Sequence, residues 1–120
     1  MVEVLKEIPS KIAGFRVTGT VTRQDYEKII LPATEEKLRE TGEINFLLLV
    51  DTDISKFTFG AWMQDAFLGL KHFSKWRKAA IITDSEPAIK FTDGFSAVAP
   101  GEFKGFKKED YEAALLWVAS

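Results

Sequence analysis

Two stretches of the chain are apolar at successive positions rather than at alternate ones. Ile44-Asn45-Phe46-Leu47-Leu48-Leu49-Val50 is interrupted only by Asn45, and Ala79-Ala80-Ile81-Ile82 is not interrupted at all. Alternate side chains of a strand point to opposite faces, so a strand that is apolar on both must be covered on both, as in a parallel sheet flanked by helices. Between the two runs, Phe59, Trp62, Met63, Ala66, Phe67, Leu70 and Phe73 recur at intervals of three and four. That spacing places them on one side of a helix lying against the sheet. Strand, helix and parallel strand predict a right-handed crossover unit from 44 to 84, around which the rest of the chain packs.

Before this unit, Val2 to Ile8 reads as a strand closed by Pro9-Ser10. Phe15, Val17, Gly19 and Val21 then alternate with Arg16, Thr18 and Thr20, which predicts a second strand with one wetter face and hence a hairpin. Thr22 followed by Asp25 has the form of a helix N-cap, with Tyr26, Ile29, Ile30 and Ala33 on the buried side of the helix. Pro32 should kink it, residues 35–40 should be mostly solvated, and Gly42 should end it. Ser55 or Thr58 can cap the aromatic helix. Ser85-Glu86-Pro87 opens another helix that turns Ala88, Phe91, Phe95 and Val98 to the sheet, with Asp93-Gly94 as a point where it could split and Pro100-Gly101 as its end. Phe103 and Phe106 belong to a short strand. A last helix from about Glu109 has Tyr111, Ala114, Leu115 and Val118 inside, with Leu116 and Trp117 widening its apolar stripe. The expected fold is a single α/β domain over residues 1–120: a mostly parallel sheet, an antiparallel N-terminal edge strand and helices on both faces.

Composition narrows the function classes. With 120 residues, 46% of them hydrophobic, the chain can build a sizeable core, made bulky by ten Phe and three Trp. The lack of Cys excludes disulfides, thiol chemistry and thiolate metal sites. A formal charge of −2 with the signs interspersed gives no electrostatic case for nucleic acid. No segment approaches the roughly 18 apolar residues of a membrane span, and the first residues lack a signal-peptide pattern, so a cytosolic protein without a transmembrane segment is expected.

The order of elements, together with Thr22-Arg23-Gln24-Asp25-Tyr26-Glu27-Lys28 and Pro32 downstream, the strand ending at Asp51, Trp76-Arg77-Lys78-Ala79-Ala80-Ile81-Ile82, and Tyr111-Glu112-Ala113-Ala114-Leu115-Leu116-Trp117, resembles the SpoIIAA-like family over nearly the full length. That family is STAS-like, with a fold related to CRAL-TRIO lipid-transfer domains. Regulators of the STAS class that antagonise anti-sigma factors present a phosphorylatable Ser in an Asp-Ser-Ser-Gly-like turn after the central strand. The matching positions here are about Phe57, Thr58, Phe59 and Gly60, so only one hydroxyl and the glycine remain. The resemblance makes Thr58 and Gly60 a candidate phospho-acceptor or anion site; the plain alternative is that Thr58 is an N-cap.

Asp51 and Asp53 follow the first apolar strand and Asp84 follows the second, where open α/β sheets place a ligand crevice. The Asp-x-Asp spacing resembles the phosphotransfer site of haloacid-dehalogenase-like enzymes, but Ile54-Ser55-Lys56 replaces the rest of that motif, and acids at strand ends are ordinary turn-formers. His72 is the only histidine, which leaves no pair for zinc, and no Gly-x-Ser-x-Gly elbow supports a serine nucleophile. Lys71, His72, Lys75, Arg77 and Lys78 form a cationic cluster, either gathered by a helix dipole or able to hold an anion or lipid headgroup. Trp62, Met63, Phe67, Phe73 and Trp76 at helical spacing are core residues or, with Phe91 and Phe95, the lining of a pocket for an apolar ligand. Leu68, Leu116 and Trp117 are the candidate patch of a homodimer. The sequence therefore reads as a non-catalytic STAS-like binding or regulatory module with no cofactor. Its expected partner is a regulatory protein, with a hydrophobic or lipid-like ligand second and a small enzyme third.

Overall fold

Five strands lie in the sheet in the order in which they occur along the chain: β1 (Val2–Val4), β2 (Ala13–Val17), β3 (Ile44–Val50), β4 (Trp76–Ile82) and β5 (Glu102–Phe106). β1 runs antiparallel to β2, and β2 to β5 are mutually parallel. The helices are α1 (Arg23–Asp25), α2 (Leu31–Thr41), α3 (Glu86–Phe95) and α4 (Tyr111–Ala119). This computed structural model describes residues 1–19, 23–52, 75–97 and 101–120. The aromatic segment from Ser55 to Phe73, the Thr22 cap, Val98 and Pro100 lie outside the described residues.

Both faces of the sheet are covered. On one, Phe15, Phe46, Leu48, Ala79, Ile81 and Phe103 pack with Ile30, with Ala88 of α3 and with the half-buried Leu38, Phe91 and Phe95. On the other, Ile12, Leu47, Ala80 and Ile82 pack under Ala114 and Val118 of α4. Leu47 and Leu48, consecutive residues of β3, are each 0% exposed, which is how a continuous apolar run becomes a two-sided strand.

Pro32 does more than bend a helix. Between α1 and α2 the chain makes a π-helical turn, Tyr26–Ile30, in which the Leu31 amide reaches back to the Tyr26 carbonyl. A proline ring crowds the carbonyl four residues earlier, here that of Lys28, and the wider turn just before Pro32 makes room for it. α2 then ends at Gly42, whose φ of 80° is left-handed and whose amide bonds the Leu38 carbonyl at 2.8 Å.

Several boundaries differ from the sequence expectation. β1 stops at Val4, because after one further bond from the Leu5 amide to Gly14 the chain bends toward Pro9. β2 begins two residues earlier than Phe15 and ends at Val17, since Gly19 takes a left-handed φ of 62° that breaks the alternation before Val21. Trp76, grouped by spacing with the aromatic helix, is instead the first residue of β4. There Arg77 is bulged: Ile44 pairs with Trp76 but Asn45 with Lys78. Asp93-Gly94 does not split α3, because Asp93 has work outside the helix. Its Oδ1 accepts the Gly105 amide of β5 at 2.8 Å, and Ser96 Oγ accepts the Phe103 amide at 3.0 Å.

Candidate functional site

The carboxyl ends of the parallel strands carry a connected row of charged side chains. The odd-numbered positions of β3 that bury Leu47 under α4 also place Asp51, just past the strand, on that face, and the same alternation places Arg16 of β2 beside it. Arg16 Nη2 donates to Asp51 Oδ2 at 2.5 Å, and Lys108 Nζ donates to Asp51 Oδ1 at 2.9 Å. Lys108 stands in the 3-10 turn Lys108–Asp110 that leads into α4, and it also reaches Asp84 past β4: its ammonium lies 3.9 Å from Oδ2, and its amide donates to Oδ1 at 3.3 Å. Glu3 of β1 completes the row, 3.8 Å from Arg16 Nη1. Acid and base thus alternate across the sheet as Glu3, Arg16, Asp51, Lys108 and Asp84.

The electrostatics follow from that order. Hydrogen bonds from Lys108 and then Arg16 hold the Asp51 carboxyl below the usual carboxylate range, and the hydrogen bond to Asp51 raises the Arg16 guanidinium. Asp51 and Lys108 side chains are each 35% exposed, so water screens the pair. Asp51 has a cation on each oxygen, which suits it to hold strand ends together and leaves it poorly placed to take a proton at neutral pH.

Of the crevice acids expected from sequence, Asp51 and Asp84 are brought together through Lys108, and Asp53 lies outside the described residues. Arg16 and Lys108 were not anticipated as members. The available signal was a cation directly past the last strand of a parallel sheet, on the side where the acids of its neighbours end.

At the opposite end of the sheet the cationic cluster resolves differently. Arg77 donates through Nε to Asn45 Oδ1 at 2.5 Å and through Nη2 to the Val118 carbonyl. Lys78 Nζ donates to the Trp117 carbonyl at 3.0 Å, and its ammonium sits 5.1 Å from the Trp117 ring centroid. Lys11 Nζ donates to the Ala119 carbonyl at 2.5 Å. Three cations therefore serve the last carbonyls of α4, where unpaired acceptors and the negative end of the dipole gather. Helix attraction is the observed role of Arg77 and Lys78, and the helix that receives them is α4. Lys71 and His72 lie outside the described residues.

The candidate pocket residues Trp62, Met63 and Phe67 lie outside the described residues, as do Thr58, Gly60 and Leu68. Trp76 is 3% exposed, its ring 5.3 Å from Phe46 and 5.4 Å from Phe103. Phe95 meets Phe103 edge-on at 5.1 Å and stacks on Phe91 at 6.4 Å. These rings form one continuous stack, with Phe91 and Phe95 at its half-buried outer end. Trp117 packs on Phe106 at 5.8 Å, whereas Leu116 is 73% exposed.

No helix among the described residues is long and apolar enough to cross a membrane. No curated protein matches the chain. Among solved structures, an uncharacterised protein of the DUF3478 family from Shewanella loihica PV-4, described as having a SpoIIAA-like fold, is similar to it at 30% identity and a TM-score of 0.66, covering 98% of this chain and 93% of that one. The SpoIIAA-like family model matches residues 12–119, from the buried Ile12 that precedes β2 to the end of α4. With the strand order and the two covered faces, that match over most of the length means that this chain belongs to the SpoIIAA-like family.

Proposed function

We propose that this protein is a non-catalytic, STAS-like binding or regulatory module of the cytosol that offers the carboxyl ends of its strands to a protein partner. The observation that carries this reading is the occupation of both Asp51 oxygens by Arg16 and Lys108. A carboxylate so engaged is a structural and recognition element, not a free acid or base. Phosphorylation of Thr58 is the regulatory form of the proposal, and mass spectrometry of the protein isolated from cells tests it. The experiment for the reading as a whole is native mass spectrometry, followed by denaturation of the same sample and by capture of partners. A clean protein mass, and a captured protein that is lost on Lys108→Glu while the circular dichroism spectrum is kept, are the expected results. A captured protein that binds the charge-reversed variant equally well would move the interface elsewhere.

A second reading rests on the half-buried Phe91 and Phe95 at the outer end of the ring stack. An apolar or lipid-like ligand laid on those rings would appear as extra mass that is released on denaturation.

A further inference from the structure

We draw no further inference here: the strongest candidate, the buried Asn45 amide beside the bulged Arg77 at the amino ends of β3 and β4, is 0% exposed and already bonded to Arg77, and nothing in the structure shows a ligand that reaches its remaining Nδ2.

Discussion

Asp51 is the residue on which the strand ends converge, and its depressed titration makes a pH prediction with a definite sign. A carboxyl whose folded pKa lies below its unfolded value adds stability above the unfolded value and loses it as pH falls through the folded one. The ordinary value is 3.8, so the contribution should be whole at pH 7 and should fade below about pH 4. Asp51→Asn is therefore expected to melt at a lower temperature than the natural chain at pH 7, with the gap narrowing toward pH 2. Thermal melts across that range check it, and a gap that stays constant with pH would assign the loss to packing. Asn45 makes a second case at this scale. It is 0% exposed, and its Oδ1 accepts a hydrogen bond from Arg77 Nε while its Nδ2 has no hydrogen-bond partner among the described residues. Arg77→Ala would leave a buried amide with neither bond, at a cost of about 1–3 kcal/mol. Adding Asn45→Leu should recover part of that loss in urea denaturation, because the pair is then removed together.

Elements here are set by where the chain can approach itself closely. Gly105 of β5 lies under α3: a Cβ at that position would come within 2.7 Å of Ile89 Cα and 3.0 Å of Ile89 Cβ, atoms that can move only with the helix. Gly105→Ala should push α3 off the strand and cost about 1–3 kcal/mol by urea denaturation. It should also loosen the Asp93 bond that closes the edge, so that the backbone amide at this position exchanges faster with solvent. A stable variant with unchanged exchange would mean that the helix shifts without strain. The same element explains what the sequence conceals. Asp93-Gly94 reads as a break by composition, yet α3 continues because the Asp93 side chain directs its acceptor to another strand, a partner twelve residues away that no local pattern displays. Pro32 was legible as a disturbance, whereas its form, a π turn, depends on how the chain makes room for the ring beside Lys28.

The molecule as a whole was readable to the extent that burial alone determines it. Leu47 and Leu48 announce two covered faces because no one-sided strand needs both, and the helix-spaced Ala114 and Val118 announce what covers one of them. The crevice was half readable, since Asp51 and Asp84 follow from strand ends, while Arg16 and Lys108 join them only through sheet order, which brings a β2 side chain and the turn after β5 to either side of β3. Arg77 and Lys78 were readable as cations near some helix, and only the three-dimensional register of the bulged β4 shows that α4 receives them. The two-sided core makes a prediction for the entire fold. Leu48→Ala opens space beneath the face that carries Ile30 and Ala88, and Leu47→Ala opens space beneath α4. Each should cost about 2–5 kcal/mol, because each side chain lies in packed surroundings that cannot fully collapse. In a sheet with one wet face, one of the two substitutions would be nearly silent. Urea unfolding followed by tryptophan fluorescence and by circular dichroism measures both losses. Coincident transitions with two large losses are expected, since both layers rest on the same β3 and β4; a small loss at Leu47 would show that α4 leaves that face uncovered in solution.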